Sequence, residues 1–274
     1  MQPDGSEQLR QFSGTQRGEP HARLSPDHQH LVFDTYRFGG WKIGIGSPDG
    51  RSVRRLSASP SYEYNASFSP DGSRLVYEKY LTDRAPRFAD GNFEIFVINA
   101  DGSSDTNLSC SEFVDRFPAI SPDGKRIVFS SDRRIDDQFN ADLYVMNLDG
   151  SNSRLLRQTD RYDFAAAVSP DSQKVAYISW DGTHADLMVS EFDGGAPRNL
   201  TQFQKMKAPA TDNDESSTEY MYGVSWSPDG SRIAFSASIH GNFDIFVIDS
   251  DGNNFRALTT SGADDVNPHW ADGE

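Results

Sequence analysis

Ser69-Pro70-Asp71-Gly72-Ser73-Arg74-Leu75-Val76-Tyr77 decides the fold, because its opening residues recur along the chain. Copies stand at Ser25-Pro26-Asp27, Ser121-Pro122-Asp123-Gly124, Ser169-Pro170-Asp171 and Ser227-Pro228-Asp229-Gly230, with a degenerate sixth at Ala271-Asp272-Gly273. Successive copies lie 44 to 58 residues apart, the size of one propeller blade. Proline presets φ, aspartate can bond its own backbone and glycine accepts positive φ, so each copy reads as a tight turn joining two strands. An apolar run such as Arg232-Ile233-Ala234-Phe235 follows, then a variable loop and a second run such as Ile95-Phe96-Val97-Ile98. Asp-Gly pairs at Asp49, Asp101, Asp149, Asp193 and Asp251 signal a second hairpin, and a short last strand ends in Leu56-Ser57, Leu108-Ser109, Leu200-Thr201 or Leu258-Thr259. Four strands per repeat predict an all-β propeller.

The Ser-Pro-Asp-Gly turn, the Ile-Phe-Val-Ile strand, the Asp-Gly turn and the terminal Leu-Thr together resemble the PD40 (WD40-like) repeat of TolB-like β-propellers over nearly the whole chain. Aligning the ends with the repeat predicts a single domain of five complete four-stranded blades plus an incomplete sixth. The blades fall at 19–61, 62–112, 113–161, 162–218 and 219–262. Residues 1–18 supply an outer-strand segment of the closing blade and 263–274 its inner strand, so the chain is read as a fragment of a longer protein or as a ring with one unfinished blade. The resemblance implies a periplasmic or secreted protein. Residues 1–20 hold no basic stretch followed by an apolar one, so no signal peptide is read in this chain.

Composition narrows the partners. With 26 Lys plus Arg against 41 Asp plus Glu the formal charge is -15, a field that repels phosphate backbones and excludes nucleic acid as the expected partner. No apolar run reaches the ~18 residues of a membrane helix. The single Cys110 excludes an internal disulfide framework.

Loops joining second to third strands and the links between blades are expected on the face opposite the turns, with insertions at 79–92, 131–141 and 201–220. On that face an acidic residue recurs in phase with the Ser-Pro-Asp turn, at Glu19, Glu63, Asp115, Asp163 and Asp265, whereas the fifth blade has Met221 in phase and Glu219 nearby. Such a ring could line the channel mouth as an anionic rim holding a basic peptide or a divalent cation such as Ca2+. Repetition in every blade is equally what a structural carboxylate bonded to its own linker would show. His21 and His269 fall on inner strands and, if the ring closes, meet near the channel as a candidate metal pair. Aromatic residues Tyr62, Tyr64, Phe113, Phe117, Tyr162, Phe164, Tyr220 and Tyr222 cluster beside the acids, as blade packing or as peptide anchors. Gly223-Val224-Ser225-Trp226-Ser227 lacks the last glycine of a nucleophile elbow, and no catalytic residue is assigned.

The leading expectation is a monomeric, non-catalytic TolB-like scaffold that binds a protein or peptide at the channel mouth of the loop-bearing face, through Glu19, Glu63, Asp115, Asp163, Asp265, His21 and His269. The alternatives are a metal-dependent funnel enzyme of carbohydrate lyase or hydrolase type, and the sensory or lid domain of a larger protein.

Overall fold

A computed structural model describes residues 21–82, 92–133, 140–182, 184–193, 195–201, 221–238, 242–260 and 262–270. The three expected insertions lie largely, and Glu19, Glu219, Tyr220 and the segment 1–18 entirely, outside the described residues. Five antiparallel four-stranded sheets are formed in chain order. The first holds β1 (Arg23–Leu24), β2 (Leu31–Thr35), β3 (Lys42–Gly46) and β4 (Val53–Arg55), and the second β5 (Glu63–Phe68), β6 (Arg74–Leu81), β7 (Asn92–Asn99) and β8 (Thr106–Asn107). The third holds β9 (Asp115–Ile120), β10 (Arg126–Ser131), β11 (Asp142–Asn147) and β12 (Arg154–Arg157), and the fourth β13 (Tyr162–Val168), β14 (Lys174–Trp180), β15 (Ala185–Glu191) and β16 (Arg198–Asn199). The fifth comprises β17 (Met221–Trp226), β18 (Arg232–Ser238), β19 (Phe243–Asp249) and β20 (Arg256–Ala257).

Each blade buries its second strand most deeply. One aromatic side chain per blade, Phe33, Tyr77, Phe129, Tyr177 or Phe235, stands eight residues after the turn serine and is at most 1% exposed. These rings and their aliphatic neighbours fill the space between blades, the main source of stability in a sheet protein of this kind.

The turns close themselves. In all five copies the serine hydroxyl donates to the aspartate Oδ1 at 2.5–2.6 Å, that oxygen accepts the amide two residues on at 3.0 Å, and the serine Oγ accepts the amide five residues on. The hydroxyl and amide bonds hold Asp71 and Asp229 down to about 2.

Every complete inner strand after the first carries a register shift: between Tyr64 and Ser67 in β5, opposite Val128/Ser130 in β9, between Phe164 and Ala167 in β13, and between Tyr222 and Val224 in β17. Its pivot has positive φ in each case, at Asn65, Phe117, Ala165 and Gly223. An extra residue bends a strand and re-aims its backbone, and here the bends ring a common axis. His21 and Asn267, in the same phase of the repeat, share the positive φ at 58° and 56°.

Residues 262–270 carry no β-strand, so the strand expected over 263–274 is not formed in its described part. The segment nevertheless docks on the fifth blade with the bonds that earlier links make to the blade before them. Asp265 N donates to Phe243 O at 2.7 Å, as Asp163 N does to Ala141 O and Glu63 N to Trp41 O in earlier links. Asn242 Nδ2 reaches Ala263 O at 2.9 Å, repeating the bonds of Asn92 to Ser111 O and Asn140 to Thr159 O. Asn267 N bonds Ser236 Oγ at 2.8 Å, and Trp270 N bonds Ser225 Oγ at 3.1 Å. One backbone carbonyl, Phe243 O, and two serine hydroxyls of the fifth blade thus accept the segment's amides in place of a continuous ladder.

Candidate functional site

Six inner segments enclose a channel of about 380 Å³. Its wall includes His21 and Arg23 from the first blade, Asn65 and Ser67 from the second, Phe117 and Ala119 from the third, Ala165 and Ala167 from the fourth, Gly223 and Ser225 from the fifth, and Asn267 and His269 from the closing segment. That volume falls within the usual range of small-ligand clefts.

The in-phase acids lie within the blades. Glu63, Asp115 and Asp163 are each 0% exposed. Glu63 accepts the Ser57 hydroxyl and, at 3.4 Å, the Ile43 amide; Asp115 accepts Ser111 Oγ at 2.9 Å and the Arg133 guanidinium at 2.8 Å; Asp163 accepts Ser179 Oγ at 2.6 Å and Thr159 Oγ1 at 3.2 Å. Each carboxylate therefore ties an inner strand to the link that precedes it or to its own second strand. Burial pushes Glu63 up and Asp163 up to about 7 against the opposing pull of those hydroxyls. Asp265 is only partly buried and belongs to the closing segment.

His21 and His269 both reach the channel wall. His21 Nδ1 lies 2.7 Å from Asp34 Oδ2, which orients the ring. His269 is exposed to the channel, while the protein packed around its ring, with Arg23 and then His28 nearby, lowers it to about 3. Among the described residues no group of three or more His, Cys, Asp or Glu side chains comes together to hold a metal ion. Of the expected donor set, Glu19 lies outside the described residues, and Glu63, Asp115 and Asp163 are spent on bonds within their own blades and links.

A second set of acids, absent from the sequence reading, does border the channel wall. Asp34 and Glu78, both 0% exposed, stand nine residues after the turn serine on β2 and β6. Asp34 accepts the Asn65 amide at 3.1 and 3.3 Å as well as bonding His21; Glu78 accepts Asn65 Nδ2 and, at 3.0 Å, Arg116 Nε. The Arg116 guanidinium lies over the rings of Phe93 and Phe117 at 4.4 and 4.7 Å. The corresponding residues of later blades are Ser130, Ile178 and Ser236, so the pair has no period to betray it. Its visible signal is a carboxylate inside an apolar strand, in Leu31-Val32-Phe33-Asp34 and Leu75-Val76-Tyr77-Glu78.

Of the expected aromatic anchors, Tyr62 is 45% exposed and stacks on Tyr80 with centroids 6.5 Å apart, whereas Phe117, Phe164 and Tyr162 pack on one another at 5.3–5.7 Å.

Five four-stranded blades and a closing segment around a channel of mixed polar and apolar lining define a β-propeller. The family model described as the TolB beta propeller domain matches residues 134–274, and the chain belongs to that PD40 family. The chain is 26% identical over 145 residues to the TolB homolog of Chlorobium luteolum, covering 40% of this chain and 33% of that protein. The crystal structure of TolB from Acinetobacter baumannii superposes with a TM-score of 0.71 at 16% identity, covering 93% of this chain and 57% of the other. An oligogalacturonate lyase in complex with manganese superposes with a TM-score of 0.57 at 16% identity, over 86% of this chain and 63% of that one. The matched segments thus span a third or less of the curated TolB relatives.

Proposed function

We propose that this chain is a non-catalytic scaffold whose channel takes a peptide segment of a protein partner, in the periplasm or outside the cell. The observation that carries the reading is the channel itself, an open cavity of about 380 Å³ bounded by side chains from all six inner segments. A rigid ring with variable loops on one face suits binding. Protein partners are consistent with the TolB likeness, and localisation is inferred from the same source.

The likeness to the lyase, at 16% identity, carries the fold alone.

The test is a steric plug. Ala119 lines the channel, so Ala119→Arg fills part of it; Thr106 is exposed on the outermost strand β8, so Thr106→Arg leaves the axis open. Peptides selected from a displayed library on the wild-type chain are expected to lose at least tenfold in affinity for Ala119→Arg and to bind Thr106→Arg normally, as read by calorimetry. Equal loss from both changes, or from neither, removes the channel as the site.

A further inference from the structure

Around the axis, acids are committed and donors remain. Asp34 and Glu78 are fully buried, and both oxygens of each accept a hydrogen bond from His21, Asn65 or Arg116. Arg23, on β1, lines the same cavity. Its one hydrogen bond among the described residues is to Ala22 O at 3.1 Å, and it forms no ion pair among them, although Asp34 is close enough to act on it electrostatically. A guanidinium has five N–H donors and no acceptor, so most of its capacity is unspent. Its charge stands out because the protein as a whole carries -15. A lone guanidinium in a confined site is matched by one planar carboxylate, which it can bind bidentately. A doubly charged group would meet the field of Asp34, Glu78 and the surrounding acidic shell with one cation to offset it.

We infer that the channel selects a ligand bearing a carboxylate, the acidic side chain or free C-terminus of a peptide, with Arg23 as its charged contact. The inference rests on the peptide-binding reading and specifies the ligand's charge, opposite to the basic preference expected from an acidic rim.

Four N-acetylated Gly/Ser hexapeptides test it by calorimetry: one with a free C-terminus and no acidic side chain, one amidated with two Asp, one amidated with two Lys, and one amidated and uncharged. The first or second should bind at least tenfold tighter than the uncharged peptide. That advantage should vanish in Arg23→Gln and be partly kept in Arg23→Lys, in keeping with the strength of a charge-assisted hydrogen bond. Which of the two wins tells a C-terminus from a side chain. Sodium acetate should compete with the winning peptide more strongly than sodium chloride at equal ionic strength, a readout on the wild-type protein that holds even if Arg23→Gln unfolds. Tighter binding of the Lys peptide, or equal binding of all four, overturns the inference and leaves the peptide reading standing. No binding by any of them overturns both.

Discussion

Replacing Asp163 with Asn should flatten the pH dependence of stability between about pH 4 and pH 7. In the folded protein this carboxyl titrates near 7 because it is buried, while in the unfolded chain it returns to about 4. Folding therefore takes up a proton in that window. The contribution is fully present below pH 4 and is lost as pH rises through 7, where the folded state must hold a buried carboxylate or unfold. The gap between those two values corresponds to at most about 4 kcal/mol between the ends of the window. Chemical denaturation at pH 4.5 and 7.5 should show the wild type losing stability toward the higher pH and Asp163→Asn losing much less. The amide keeps its acceptor oxygen toward Ser179 and Thr159, so its fold should persist. A wild-type curve that rises with pH across this window, together with an unchanged slope in Asp163→Asn, would refute the buried, protonated carboxyl. The Ser-Pro-Asp turns behave oppositely. Their depressed aspartates add stability above about pH 4 that is lost as pH falls toward 2.

Gly223→Val should be the most damaging change on the channel wall. Gly223 sits at φ +48°, and a Cβ there would stand 2.6 Å from the Asn267 Cα, a backbone atom that cannot swing aside. A β-branched residue adds left-handed strain of about 1–2 kcal/mol to that clash. The total is expected at about 2–4 kcal/mol, with displacement of residues 265–270 from the fifth blade. Ala165→Gly, at the same phase of the repeat, supplies the control. Ala165 already adopts φ 52° with its Cβ in place, and the change relieves strain at the cost of a more flexible unfolded chain, so its effect should stay within about 1 kcal/mol. Thermal unfolding of the two variants separates a crowded closure from a generic intolerance of the bulge.

How much of this was legible beforehand follows from periodicity. Turns, strands and blade count are written in Ser-Pro-Asp and Asp-Gly because each turn is closed by its own side chains, so local sequence suffices. The in-phase acids were equally visible, but phase alone does not tell a rim from a wall. Whether Glu63 faces solvent or Ser57 depends on how the preceding link folds across it, a contact between blades. Asp34 and Glu78 were missed for the complementary reason. They break the period, and a search built on repeats passes over what only two blades share. Arg23 has no counterpart cation in the other blades, so a search built on repeats passes over it too.

The channel depends most on the closing segment, because without it five blades bound an open cleft. Amide hydrogen exchange of Asn267 and Trp270 in the wild type and in Ser236→Ala tests this directly. The docked segment requires both amides to be protected in the wild type and the Asn267 amide to exchange markedly faster once Ser236 Oγ is removed. Exchange of both at the rate of an unstructured chain in the wild type would contradict the docked segment and the site built on it.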